Sequence, residues 1–269
     1  MTLPPQSILD LPDGARFVDY GAGGRMVLFI GRQNLSLSHS VRADFASLFQ
    51  ENGLRFVAFE PPYEAACRRD DPQDRLSRWP APLRRVLRGL LFLRRLRTWK
   101  YLRPAQRREA ASVQHWSASL LAAVRALPAP PAVLTGFSHG ARVASLIADQ
   151  LGVAGVVCFG YPFRNPDEPE DPARTAHLAR LRTPCLIIQG SHDEYGGRDV
   201  RDRYPLSPAI AVEFVATNHG FLLSGTQWQA ISGRLRQFCG VVLPAGPVAA
   251  TQVTVGVPQG MRYRNKGEG

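Results

Sequence analysis

"VLTGFSHGARVAS", residues Val133 to Ser145, is the stretch on which the reading of this chain turns. Ala132, Val133, Leu134 and Thr135 form a short apolar and β-branched run, the pattern of a buried strand. Ala141 to Gln150, A-R-V-A-S-L-I-A-D-Q, places apolar residues at helical spacing and stops before Gly152. Ser138 therefore sits on a strand-to-helix turn, with Gly136 and Gly140 on either side. Such a turn is sharp and its backbone strained, and a Cβ at either flanking position would collide with the neighbouring strand or helix. The helix that follows points its free N–H groups at any negative charge developing near Ser138. In a chain with 24 glycines a G-x-S-x-G pattern is weak by itself, so its surroundings carry the reading.

A serine hydroxyl is a poor nucleophile until a neutral imidazole accepts its proton, and a carboxylate must fix that imidazole's tautomer. Two residues downstream have the required types in the required order. Asp193 lies in "CLIIQGSHDEYGG", directly after an apolar strand, and His219 lies in "VEFVATNHGF", after the next one. In a parallel sheet these strand ends share one side, so Ser138, Asp193 and His219 are expected to converge. Taken singly, Asp193 is a common turn residue and His219 beside Gly220 an ordinary loop histidine; Glu194 is the substitute acid. His139, the residue after the serine, is expected to offer its backbone N–H to an oxyanion, whatever its side chain does. His39, His115, His177 and His192 do not follow a strand in the right order, and no pair has H-E-x-x-H or other ligand spacing. Neither a metal nor a cofactor is expected.

At 269 residues the chain fits one large α/β domain, with residues 1–240 as the body and 241–269 as a tail. The N-terminus lacks a basic start and a sustained apolar stretch, and no run reaches transmembrane length, so a cytoplasmic location is expected. Cys67, Cys158, Cys185 and Cys239 lie far apart without a C-x-x-C pair; Cys158 and Cys185 fall in apolar strand-like runs and read as buried small hydrophobes. Strands are expected at Arg16–Tyr20, Met26–Ile30, Leu54–Phe59, Val156–Phe159, Cys185–Gln189 and Ala211–Val215. Helices are expected at Val41–Glu51, about 107–127 and Gln227–Cys239; the tail is expected to be a mobile segment, with a short strand at Val253, Val255 and Val257 as the alternative.

The net charge of +11 is local. Between Pro61 and Ala110 stand thirteen arginines and Lys100 against five acidic residues, an excess of nine. Within it, "PLRRVLRGLLFLRRLRTWKYLR", Pro82 to Arg103, places Leu83, Val86, Leu87, Leu90 and Leu91 on one helical face and Arg84, Arg85 and Arg88 largely elsewhere. Residues 61–105 thus read as a basic helical insertion, one helix or a pair. The expectation is a cap whose leucines pack over the site while its arginines stay solvated. Contact with an anionic membrane surface through Pro82 to Arg103 is the rival role, and nucleic acid is not the expected partner.

"SHGARVAS", "GYPFRNPDEPEDPARTAHLARLRTPCLIIQGSHDEYGGRDV" and "NHGF" resemble the small α/β-hydrolase-like proteins of the testis-expressed group. The same group includes the domain in the third subunit of the NSL acetyltransferase complex, and dienelactone hydrolase is a more distant cousin. The resemblance covers about half the chain and implies an α/β-hydrolase fold, a mostly parallel sheet with helices on both faces. It also implies that Ser138, Asp193 and His219 match the family's triad positions, and that Arg142 matches a structural arginine of the elbow helix. Relatives carry a His-Gly-rich loop after the strand that supplies the second oxyanion donor. Here that stretch reads "FIGRQNLSLSHS", with Ile30 in place of the histidine and Gly31 retained. The N–H of Arg32 is the candidate donor and that of Gln33 the runner-up. The function so implied is a serine carboxylesterase or thioesterase acting on a small or medium acyl substrate, with an anionic group favoured by the insertion. A non-catalytic interaction protein of the same fold is the alternative.

Overall fold

The computed structural model describes residues 5–31, 39–70, 75–94, 96–243 and 262–265. The strands are β1 (Ser7–Asp10), β2 (Arg16–Asp19), β3 (Arg25–Ile30), β4 (Leu54–Glu60), β5 (Val133–Phe137), β6 (Gly155–Phe159), β7 (Cys185–Gly190), β8 (Ile210–Val215) and β9 (Arg262–Asn265). They form one sheet in the order β8-β7-β6-β5-β3-β4-β2-β1-β9. From β4 through β3 to β8 all neighbours are parallel, whereas β2, β1 and β9 add antiparallel pairings at the other edge.

The parallel strands read as continuous apolar runs because both faces are covered. In β3, Met26, Leu28 and Ile30 enter one core and Val27 and Phe29 the other; in β6, Val156 and Cys158 part in the same way from Val157 and Phe159. The first core is closed by α5 (Val113–Val124) and α6 (His139–Leu151), through Trp116, Leu120, Val143 and Ile147. The second is closed by α1 (His39–Glu51) and α8 (Gly225–Val242), through Phe45, Phe49, Ile231 and Leu235. Ser224 and Gln227 form a reciprocal capping box at the start of α8. All four cysteines are free and buried, Cys158 and Cys185 as expected.

Between β4 and β5 lie α2 (Pro62–Asp70), α3 (Ala81–Leu93) and α4 (Pro104–Ala110), with short 3-10 turns at Arg75–Arg78 and Leu96–Leu102. The single helix expected over about 107–127 is broken in two. Ser112 caps α5 by accepting from His115 N at 3.1 Å, which starts a new helix two residues after α4 ends. The strands β1 and β9 are not among those expected: S-I-L-D, and R-Y-R-N in the stretch expected as a mobile tail, carry too little pattern, and their pairing with β2 and with each other supplies what local preference does not. Residues 253–257 and the side chain of His39 lie outside the described residues, and the short α7 (Val200–Arg203) completes the helices.

Candidate active site

Ser138 joins β5 to α6 with φ +54° and ψ −117°, a left-handed backbone held by its neighbours. Its N–H donates to Phe159 O at 2.9 Å, and its carbonyl accepts from Ala141 N at 2.9 Å. Both flanking glycines are sterically required. A Cβ on Gly136 would run into the Gly140 carbonyl, and one on Gly140 would run into the carbonyl oxygens of Ile30 and Gly31. The chain therefore leaves β3 directly against the elbow.

The three expected residues meet at the carboxyl ends of β5, β7 and β8. His219 Nε2 lies 2.9 Å from Ser138 Oγ, and His219 Nδ1 lies 2.9 and 3.0 Å from the two carboxylate oxygens of Asp193. Asp193 and His219 are both buried. The loops carrying them are tied together: Ser191 N donates to Val215 O and His192 N to Thr217 O, at 2.8 and 3.1 Å. Gly190 makes the approach possible, since a Cβ there would lie 2.6 Å from Thr217 O and 3.2 Å from the Asp193 side chain.

Residues not singled out in the sequence orient the acid. Gln189 Nε2 donates to Asp193 Oδ2 at 3.0 Å, while also facing the carbonyls of Tyr161 and Gly196. Tyr195 N donates to Asp193 Oδ1 at 2.9 Å, and the Tyr195 ring packs 4.3 Å from the His219 ring. Phe137 stacks on the same imidazole at 5.9 Å. Glu194 is exposed to solvent and is not the acid.

His139 opens α6, so its backbone N–H belongs to the first turn, where the helix itself provides no acceptor. Its ring stands edge-on to Trp116 at 4.7 Å, and its Nε2 is buried without a hydrogen-bond partner among the described residues. Burial, aided by repulsion from Arg142 and Arg174, lowers its pKa to about 4, so the imidazole is neutral at ordinary pH. Arg32 and Gln33, expected as second donor and runner-up, lie outside the described residues. Of the other histidines, His177 bonds Ser145 Oγ at 2.8 Å and His192 bonds Ser191 Oγ at 3.0 Å, both away from the relay.

Residues 95–238 match the alpha/beta hydrolase domain family, a stretch that holds the elbow, the acid loop and the histidine loop. The chain is an alpha/beta hydrolase. Solved structures similar to this alpha/beta hydrolase include an alpha-beta serine hydrolase homologue from Coxiella burnetii, with 16% identity over 88% of this chain and 98% of that one, at a TM-score of 0.52. Est1E from Butyrivibrio proteoclasticus is 10% identical over 89% and 100%, at 0.55. An esterase from Pyrococcus furiosus is 10% identical over 89% and 91%, at 0.53. At these identities the likeness is one of fold. No curated protein matches the chain.

In this alpha/beta hydrolase the insertion leaves the carboxyl end of β4, the same end of the parallel strands that carries Ser138. Its helices gather around a small core of their own, Ala66, Cys67, Phe92, Tyr101 and Ala110, with Tyr63 packed against it. Ala110 O accepts from Trp116 Nε1 at 3.0 Å, and Trp116 in turn touches His139, so one tryptophan separates the insertion from the elbow. The expected direction of the α3 leucines is corrected. Leu83, Val86 and Leu90 face solvent, and Leu87 and Leu91 are half-buried. The helix turns Phe92 inward, against the rings of Tyr63 and Tyr101, and aromatic packing there outweighs the leucine arc. Among the described residues no helix is long and apolar enough to cross a membrane.

Proposed function

We propose that this alpha/beta hydrolase is a serine hydrolase of carboxylic esters or thioesters working through an acyl-enzyme. The observation that carries the reading is the unbroken relay from Ser138 Oγ through His219 to Asp193, each link near 2.9 Å. Ser138 Oγ attacks the acyl carbonyl as its proton passes to His219 Nε2, and Asp193 steadies the imidazolium. The carbonyl oxygen becomes an oxyanion, received by the His139 N–H at the start of α6. Collapse expels the alcohol or thiol, which takes the proton back from His219. Water then attacks the acyl-serine with His219 again as base, releasing the carboxylic acid and restoring Ser138. The basic insertion favours acyl substrates that carry or accompany a negative charge, an attraction that salt screens beyond about 8 Å at physiological ionic strength.

The test is hydrolysis of short p-nitrophenyl esters and acyl thioesters. Ser138→Ala and His219→Ala are each expected to lower turnover by about 10³-fold or more. Turnover unchanged in both variants overturns the proposal.

A further inference from the structure

Residues 75–108 contain eleven arginines and Lys100 and not one aspartate or glutamate. The same segment holds an apolar surface that is exposed among the described residues. Of the nine large apolar side chains exposed among the described residues, seven lie between Trp79 and Leu102. Leu83, Val86, Leu90 and Leu93 follow one another at three- and four-residue spacing along α3, each 40 to 59% exposed, on the side away from Phe92. Trp79 precedes the helix at 50% exposure, and Trp99, at 48%, is fixed beside its end by an Nε1 bond to Leu93 O at 3.2 Å. Arg78, Arg85, Arg94, Lys100 and Arg103 are exposed around this stripe.

We infer that this face of the insertion docks on an anionic phospholipid surface. Two features must be met at once: an aliphatic stripe flanked by tryptophans, and a dense cationic border. A membrane interface satisfies both, because the leucines enter the acyl boundary, the indoles sit at the headgroup level and the arginines reach lipid phosphates along their apolar stems. A nucleic acid would neutralise the cations but leave the aliphatic stripe in water. A second copy of the chain would cover the stripe only by bringing together two segments that each carry a dozen cations and no acid.

The insertion leaves the sheet at the Ser138 end, so docking through it would hold that end of the sheet near esters dissolved in or released from the lipid surface. That consequence rests on the hydrolase reading; the binding does not.

The experiment is co-sedimentation of the full chain carrying Ser138→Ala with vesicles of phosphatidylcholine alone or of equal parts phosphatidylcholine and phosphatidylglycerol. Partitioning should be about tenfold or more greater on the anionic vesicles and should fall with added salt. Leu83→Ser/Leu90→Ser should weaken it about tenfold or more, and Arg85→Gln/Arg94→Gln by about fivefold per arginine. Circular dichroism and melting temperature, expected to be unchanged by these surface substitutions, establish that the variants are folded. Absence of binding to anionic vesicles, or binding that the serine pair leaves intact, overturns the inference. So does gel filtration showing a dimer that the serine pair dissociates, or oligonucleotide binding in place of vesicle binding. Failure of the wild-type chain to hydrolyse soluble esters would refute the hydrolase reading without altering the vesicle result.

Discussion

Replacing Asp193 by asparagine tests the relay at the link that fixes the tautomer of His219. The carboxylate accepts from Tyr195 N at 2.9 Å on Oδ1, from Gln189 Nε2 at 3.0 Å on Oδ2, and from His219 Nδ1 on both. An asparagine has one acceptor oxygen, with an amide nitrogen in place of the other. Tyr195 N has a single hydrogen and keeps the oxygen. Gln189 Nε2 has two hydrogens facing three acceptors, so it can release the substituted side chain and keep the carbonyls of Tyr161 and Gly196. The introduced amide nitrogen then faces His219 Nδ1 and donates to it. That places the imidazole proton on Nε2, toward Ser138, where the ring can no longer accept. The expected cost is about 10⁴-fold in kcat/KM, or about 5.5 kcal/mol of transition-state stabilisation, with KM little changed. Initial rates on a short p-nitrophenyl ester, with the melting temperature as a check on folding, measure it. A loss smaller than about tenfold in a folded variant refutes the role given to Asp193.

Gly140→Ala drives a Cβ into the backbone carbonyls of Ile30 and Gly31, which cannot rotate away, and is expected to destabilise the fold by about 3 kcal/mol or more and abolish turnover; chemical denaturation showing wild-type stability would refute the steric argument. His139 and His177, both held to about 4 by burial and by Arg142, give the protein an acid sensitivity of known sign. The unfolded chain binds these protons near pH 6.5 and the folded one only near 4, so stability that is complete above 6.5 falls as the pH drops between them. The loss should approach about 1 kcal/mol per pH unit for His139 and less for the more open His177, and His139→Gln should flatten the slope of unfolding free energy between about pH 7 and 5. An identical slope in wild type and variant contradicts the assignment.

The elbow was legible because its constraint is local: a strand buried on both faces, a serine with glycine on each side, and a helix with apolar spacing leave few other arrangements for Val133 to Ser145. Asp193 and His219 were legible through chain order, since parallel strands bring successive loops to one side of the sheet. The groups that align them were not. Gln189 appears in sequence as one polar residue ending an apolar strand, and only the packing shows it bracing the acid. Gly190 gives no sign that the two loops meet over it. The direction of α3 escapes the sequence pattern for a related reason. Periodicity finds the apolar arc, but the inward face was decided by Phe92 against Tyr63 and Tyr101, residues that lie on three separate elements. The break at Ser112 shows a smaller version of the same limit: one capping hydroxyl divides a run whose composition is helical throughout.

The most direct test of the central claim is intact-protein mass spectrometry after treatment with a fluorophosphonate, which a nucleophilic serine attacks at phosphorus with loss of fluoride. The account predicts a single adduct located on the Ser138 peptide, absent in Ser138→Ala and greatly slowed in His219→Ala, because His219 Nε2 lies 2.9 Å from the attacking oxygen. An unlabelled wild-type chain, or an adduct that persists in Ser138→Ala, would contradict it.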